Sequence, residues 1–344
     1  MSFRILEIGL GNRGKQWAAV IESLPGFVVA AAVDPGAAAR NLFNELHPDV
    51  PLHADLEAAL HAGTYDAALL VTPPDGHLVQ VRRLFAAGLP VLCEKPLAAD
   101  LGEAAAIVAL AEAASLPLSV GLNFRFLPVS RKLRELLAAE TFGAPGFGQF
   151  TYQRNRDGKR PGLNKYPLTM RYPMLLEQSI HHLDLIRFCY GREVERVACR
   201  SWNPPWSMYA HDANVSCLLT LGGGLEVNYL GTWTGGWDPL KFEWRTDCAN
   251  GVIVQRELFA DLAIAQTQDT DLRAVAIDAA RPFFDDSAAL LTAFVAALRE
   301  GRDPPCSGPD HLRSLALCFA CIESAETGQS VDVPAFERRH GITP

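Results

Sequence analysis

Near the start of the chain, Gly9-Leu10-Gly11-Asn12-Arg13-Gly14 follows the apolar run Arg4–Ile8 and precedes a helical pattern from Lys15, where Trp17, Val20, Ile21 and Leu24 recur on one face. A strand, glycines at G-x-G-x-x-G spacing and a helix pack in one way: Gly9 makes the tight turn, Gly11 leaves bare backbone, and Gly14 lets helix and strand approach. The helix amino terminus then attracts phosphate charge. Asp34 ends the second apolar run, Phe27–Val33, about 20 residues further on, where a carboxylate can accept hydrogen bonds from ribose hydroxyls. The pattern predicts a βαβ unit that holds a dinucleotide. Asp34 would repel a 2′-phosphate and Pro35-Gly36 supply no cation, so NAD is favoured over NADP, with Arg13 and Arg40 acting against that preference.

The same alternation continues. Short apolar runs at Leu52-His53, Ala67–Val71, Pro90–Cys93 and Leu118–Leu122 alternate with helical patterns at Leu56–Ala62, His77–Ala87 and Leu101–Ala114. Asp100 and Glu103 can cap the last of these. Residues 1–122 therefore read as an α/β Rossmann domain, a parallel sheet with helices on both faces. From residue 123 to 344 the pattern changes to alternating strands at Phe147–Arg154, Val194–Trp202, Asn214–Leu221, Leu225–Thr232, Lys241–Cys248 and Val252–Leu258, with turns at Gly222-Gly223-Gly224 and Ala249-Asn250-Gly251. Helices are expected at Ser287–Glu300 and Pro309–Gly328. This second domain reads as α+β with a large, mostly antiparallel open sheet, whose uncovered face is a candidate for subunit contact.

With 344 residues, 49% of them hydrophobic, the chain can fill two cores. Its 39 acidic against 31 basic residues oppose a nucleic-acid-binding surface, which needs a basic footprint. No sustained apolar run suggests a leader or a membrane span, so the expected location is the cytoplasm. The eight cysteines are scattered, as suits reduced thiols. Cys318-Phe-Ala-Cys321 has the form of a metal or redox motif, but it sits in an apolar helical run without a second pair. It is read as core packing, and no metal is expected.

Two segments carry candidate chemistry. Glu94-Lys95-Pro96 follows the fifth strand, at the sheet edge where open α/β folds bind ligands, and Lys95 is one of only six lysines. Its ammonium could orient a hydroxyl or polarise a carbonyl, although a surface lysine would look the same. In Glu177-Gln178-Ser179-Ile180-His181-His182-Leu183-Asp184, a continuous helix would set Glu177, His181 and Asp184 on one face, beside an apolar stripe of Ile180, Leu183 and Ile186. An imidazole with an ordinary pKa of about 6.5 suits alcohol oxidation, since it can take the hydroxyl proton as hydride leaves the same carbon. Zinc is the weaker reading, because His-Glu-x-x-His is absent. Between them lies the polar loop Tyr152–Tyr172, with Arg154, Arg156, Lys159, Arg160, Lys165 and Arg171 among Pro161, Gly162, Asn164, Tyr166 and Pro167, a candidate lid for a polyhydroxylated or anionic substrate.

Taken together these segments resemble the glucose-fructose oxidoreductase/inositol dehydrogenase family, Gfo/Idh/MocA. The resemblance rests on the glycine motif, Thr72-Pro73-Pro74-Asp75-Gly76-His77, Glu94-Lys95-Pro96, Asn123-Phe124-Arg125-Phe126, His181-His182-Leu183-Asp184 and the tail Glu323–Gly328. It implies an NAD(P)-linked oxidoreductase acting on a sugar, cyclitol or related polyol, assembled as a homodimer or homotetramer through the C-terminal sheet. Residue by residue, it implies that Lys95 contacts nicotinamide and substrate, that His181 is the acid/base, and that Glu177 stands where an aspartate is usual, with Ser179 for a common glycine. The longer carboxylate bears on substrate geometry, not on fold. The cofactor set becomes Gly9, Gly11, Asn12, Arg13, Gly14, Asp34, Thr72, Pro73, His77, Glu94 and Lys95; the substrate set becomes Asn123, Arg125, Lys165, Tyr166, Glu177 and His181. The family also implies two other activities to test against: a non-catalytic NAD or metabolite sensor, and an NAD-dependent glycoside-cleaving enzyme.

Overall fold

The computed structural model describes residues 2–161 and 163–342; Gly162 of the polar loop lies outside them. The chain begins β1 (Phe3–Ile8), α1 (Asn12–Ser23), β2 (Phe27–Val33), α2 (Ala37–Leu46), β3 (Leu52–His53), α3 (Leu56–Ala62), β4 (Ala67–Leu70), α4 (His77–Ala86), β5 (Val91–Cys93), α5 (Leu101–Ala114) and β6 (Leu118–Val120). It continues as α6 (Pro128–Ala138), β7 (Pro145–Gln153), α7 (Ile180–Tyr190), β8 (Val194–Trp202), β9 (Asn214–Leu221), β10 (Leu225–Thr232), β11 (Lys241–Cys248), β12 (Gly251–Glu257), β13 (Ala260–Gln266), β14 (Arg273–Val275), α8 (Asp285–Glu300), α9 (Gly308–Thr327), β15 (Val331–Asp332) and α10 (Val333–Arg339).

The first compact unit comprises Met1–Asn123 and Arg281–Leu312. Its sheet runs β3-β2-β1-β4-β5-β6, every pair parallel. The order reverses between β1 and β4, and the loops that leave the carboxyl ends of β1, β2, β4 and β5 carry Gly9, Asp34, Thr72 and Glu94. Ligands bind open parallel sheets at such a reversal. Both faces of β1 and β4 are buried, by apolar residues apart from Glu7 of β1, as covered strands require. The sequence missed α2 because that helix buries only Phe43, too narrow a stripe to register as a period. The unit also differs from the expected 1–122: α8 belongs to it, far along the chain, because α8 packs on α1.

The second unit comprises Phe124–Ala280 and Arg313–Pro344. Its nine strands run β14-β13-β12-β11-β7-β10-β9-β8-β15. Neighbours are antiparallel except β7 and β10, which pair in parallel. The β9–β10 hairpin turns over Gly222–Gly224, where Gly223 and Gly224 both have φ of +78°, a region side chains avoid. Alternation along β8 and β9 buries Val197, Cys199, Cys217 and Leu219 on one face and leaves the other face to Ala198, Arg200, Ser216 and Leu218. α7 and α9 cover the buried face: Tyr229 of β10 meets His182, and Cys199 of β8 meets Ser324. The short β13, β14, β15, α6 and α10 extend the predicted set.

Candidate active site

The first unit supplies a dinucleotide cradle. Gly9 has φ of +102°, and a Cβ there would stand 2.6 Å from the Val71 carbonyl oxygen; a Cβ on Gly14 would stand 2.1 Å from that of Gly9. Both positions demand glycine. At Gly11 nothing lies within 4 Å of a notional Cβ, which is the room a pyrophosphate needs. Helix α1 starts at Asn12, three residues before the predicted Lys15, and its cap residue Gly11 offers no side-chain acceptor to the first-turn amides. Those donors suit an anion.

Asp34 is fixed at the end of β2. Its Oδ2 accepts from Leu10 N at 2.9 Å and its Oδ1 from Gly36 N at 2.8 Å. Arg40 turns onto the carbonyl oxygens of Asp34 and Pro35, at 2.7 and 2.9 Å. Two other predicted cofactor contacts hold each other: Arg13 Nε donates to Glu94 Oε1 at 2.6 Å, and the same guanidinium reaches Ser287 Oγ at 3.0 Å. Trp17 Nε1 also donates to Glu94 Oε1, at 2.8 Å, and Lys95 N donates to Oε2 at 3.2 Å. Burial alone would raise the Glu94 pKa, but Arg13, Trp17 and Lys95 outweigh it and hold the carboxyl below the usual range. Glu94 is an anchored anion at the foot of Lys95.

Thr72 Oγ1 donates to Gln80 Oε1 at 2.6 Å, and the His77 ring lies between the carbonyl oxygens of Thr72 and Leu97 at 2.9 and 3.0 Å. His77 is buried, and that burial lowers its pKa, so it braces the loop that carries Thr72 and Pro73. Asn123 closes the unit with its Nδ2 on Asp286 of α8.

In the second unit the predicted continuous helix is broken in type. Met174–Ser179 is a π-helical turn leading into α7, and such turns concentrate at functional sites. The Glu177 Oε2 accepts from the Tyr166 hydroxyl at 2.6 Å, so two predicted substrate residues meet. The His181 ring stacks on Phe124, centroids 4.3 Å apart and planes 20° apart. Asp184 is 1% exposed, contrary to a place on a cleft-lining stripe. Arg125 binds it with Nε and Nη2 at 2.7 and 2.5 Å, and Ser314 Oγ donates to it at 2.6 Å. Arg125, a predicted substrate residue, thus carries a buried ion pair. Lys165 Nζ donates to the carbonyl oxygens of Gly158 and Arg160 at 3.1 and 2.7 Å, which ties the polar loop to itself.

His182, next to the candidate base, has a different task. Its Nδ1 lies 2.9 Å from the Tyr229 hydroxyl, which donates onward to Ser179 Oγ at 2.7 Å, and its Nε2 lies 3.1 Å from Gln178 Nε2. This chain fits a neutral ring with its proton on Nδ1, and it ties the π turn to β10. Burial lowers the His182 pKa to about 3. The folded chain keeps that ring neutral while the unfolded chain protonates it near pH 6.5, so unfolding takes up a proton between the two values. Its contribution to stability is complete above about pH 6.5 and falls as pH drops towards 3, by at most roughly 1.4 kcal/mol per pH unit. Thermal melts between pH 4 and 7 should show a shallower decline for His182→Gln than for the parent; identical slopes would mean that the ring titrates normally.

Residues 3–122 match the family described as "Oxidoreductase family, NAD-binding Rossmann fold", and residues 130–253 match "GFO/IDH/MocA C-terminal domain". The chain belongs to the Gfo/Idh/MocA family. This Gfo/Idh/MocA oxidoreductase is 28% identical over 301 residues to a D-apiose dehydrogenase of Paraburkholderia graminis, covering 83% of this chain and 78% of that protein. It is 29% identical over 252 residues to the myo-inositol dehydrogenase Hyg17 of Streptomyces leeuwenhoekii, covering 70% of this chain and 72% of that protein. In fold it matches an oxidoreductase of Agrobacterium radiobacter, solved in complex with NAD+, L-tartaric acid and magnesium, with a TM-score of 0.88 and 23% identity over 97% of this chain and 99% of that one. No helix among the described residues is long and apolar enough to cross a membrane.

Sequence reasoning missed several residues that hold this family member's candidate site in place. Trp17 steadies Glu94, Ser287 steadies Arg13, Asp286 holds Asn123, Phe124 floors the His181 ring, and Tyr229 ties His182 to the π turn. Each acts across a long separation in sequence, where spacing carries no signal. The buried acid in Asp285-Asp286-Ser287 was the one local hint, since an unpaired core carboxyl needs a donor.

Proposed function

We propose that the protein is an NAD-dependent dehydrogenase that moves hydride between nicotinamide and a CH–OH carbon of a sugar, cyclitol or related polyol. Gly9, Gly11, Asn12, Gly14 and Asp34 would hold the dinucleotide, with Thr72, Pro73 and the anchored Glu94 nearby on the same sheet edge. A nicotinamide held there would supply the hydride acceptor or donor. Lys95 orients the reacting hydroxyl, and His181 takes its proton. The observation that carries this reading is the half-buried Glu177, whose carboxylate already accepts a hydroxyl hydrogen bond from Tyr166 four residues before His181. A polyol hydroxyl can be received in the same way.

Reduction of NAD followed at the NADH absorbance, across a panel of aldoses, aldonates and inositols, tests this reading. Turnover with at least one polyol supports it. Cleavage of aryl glycosides without net NADH would make the protein a glycoside-cleaving enzyme, and binding without turnover of any kind would make it a sensor.

The preference for NAD rests on Asp34, whose carboxylate is held at the end of β2 by two backbone amides. Asp34→Ala should raise the NAD dissociation constant about tenfold to a hundredfold, the worth of a hydrogen bond to a charged group at about 1.5–3 kcal/mol. NADP affinity should change less or improve; calorimetry that finds NADP hurt more than NAD would reverse the assignment. We also propose a homodimer or homotetramer through the open face of the nine-stranded sheet, where Leu218 is 45% and Phe147 36% exposed. Sedimentation equilibrium showing only monomer would refute it.

A further inference from the structure

The second unit holds a cluster of side chains that the dehydrogenase reading does not use. Cys199 on β8 and Cys217 on β9 stand directly opposite one another in the antiparallel pairing, with their sulfurs 3.1 Å apart. Cys321 reaches them from α9, its sulfur 3.8 Å from that of Cys217. All three sulfurs lie within 4.8 Å of one another, and all three residues are buried. The helix is held in register there, because Ser324, one turn beyond Cys321, accepts a hydrogen bond from Cys199 N at 2.9 Å and donates to the Gln329 carbonyl oxygen at 2.6 Å.

We propose that Cys199, Cys217 and Cys321 form a three-thiolate site for one thiophilic divalent cation of the zinc–cadmium class. Geometry comes first. An ion about 2.3 Å from each of three sulfurs around it requires those sulfurs to be about 4.0 Å apart; Cys217 and Cys321, at 3.8 Å, are close to that, and Cys199 and Cys217, at 3.1 Å, would part by about 0.9 Å to receive it. Thiolates are soft ligands and select such ions over hard ones. Charge comes second. Three thiolates and a divalent ion leave one negative charge, and a buried charge needs a counterion. Arg200 follows Cys199 in the chain and lines a cavity with Cys199 and Cys217. Its guanidinium is the charge available to balance the site.

To bind, the ion must displace the thiol protons. Access is the third consideration. Cys199 and Cys217 are among the residues that line a cavity of about 280 Å³, together with Arg200, Ser324 and Gly328. Cys318 and Cys321 are both buried, as the core reading of Cys318-Phe-Ala-Cys321 expects, and the sulfurs nearest Cys321 in the cluster lie on two strands rather than at Cys318.

The test is a titration of Cd²⁺ into the full-length protein, purified with a reductant and stripped with a chelator. One tightly bound equivalent, thiolate-to-metal absorbance in the near ultraviolet, proton release, and three sulfur neighbours by X-ray absorption are expected. Cys199→Ser, Cys217→Ser and Cys321→Ser should each weaken binding by at least about tenfold, and Cys248→Ser, remote from the cluster, should not. Absence of stoichiometric binding, a sulfur count below three, or unchanged affinity in Cys321→Ser would overturn the proposal. So would a Cys199–Cys217 disulfide in the protein isolated without added oxidant, because it consumes two of the ligands. The absorption count on the parent decides the matter even where a serine variant fails to fold. None of these readouts depends on turnover, so the site stands or falls separately from the dehydrogenase reading.

Discussion

Replacing His181 with alanine is expected to lower turnover about 10²–10⁴-fold, the usual worth of a positioned general acid or base, while NAD affinity changes little. The argument begins with what restrains the ring. His181 is the second residue of α7, it is 7% exposed, and its face lies against Phe124. A stacked imidazole loses little further freedom when it takes a proton from a bound hydroxyl, so removing it costs the proton transfer and not only packing. Dinucleotide binding draws on the glycine cradle and Asp34, which belong to the first unit, whereas α7 belongs to the second. The pH dependence separates roles: loss of a base flattens the rise of kcat with pH, whereas a merely structural change lowers kcat equally at every pH. Unchanged turnover would take His181 out of the mechanism.

Removing the Asp184 carboxylate is expected to have the largest effect on stability, about 3–5 kcal/mol, because one half of a buried ion pair would be left uncompensated. Asp184 is 1% exposed and takes two hydrogen bonds from Arg125 and one from Ser314, with Arg187 Nη1 3.8 Å away. Asp184→Ala therefore strands buried positive charge between α7 and α9. At roughly 2–4 °C per kcal/mol for a domain of this size, the melting temperature should fall by about 10 °C. Asp184→Asn keeps an acceptor for Ser314 and should fall between the two. A melting temperature within about 2 °C of the parent, together with lost turnover, would make Asp184 part of the chemistry instead of the scaffold.

These two predictions concern residues of one short segment that read alike in the sequence. Glu177, His181 and Asp184 share helical spacing, which suggested a common polar face. The structure gives them different partners: Glu177, in the π turn, accepts from Tyr166, while Asp184 is held in the core by Arg125. Spacing assumes a uniform helix, and a single wide turn breaks that assumption without leaving a mark in residue order. His182 shows the same limit, since nothing local distinguishes a ring tied to Tyr229 from one available to a substrate.

What the sequence determined by itself was everything fixed by local pattern. The glycine motif, the Asp34 at a strand end and the alternation along β8 to β12 each express a constraint within a few residues, on backbone conformation or on burial. From these came the parallel sheet, the second sheet and the cradle. Tertiary structure decided which distant groups meet: Arg13 with Glu94, 81 residues apart, Asp184 with Ser314, 130 apart, and three cysteines from two strands and a helix. Those meetings depend on how elements pack and in what register, and packing is a property of the whole folded unit that no short window of sequence contains.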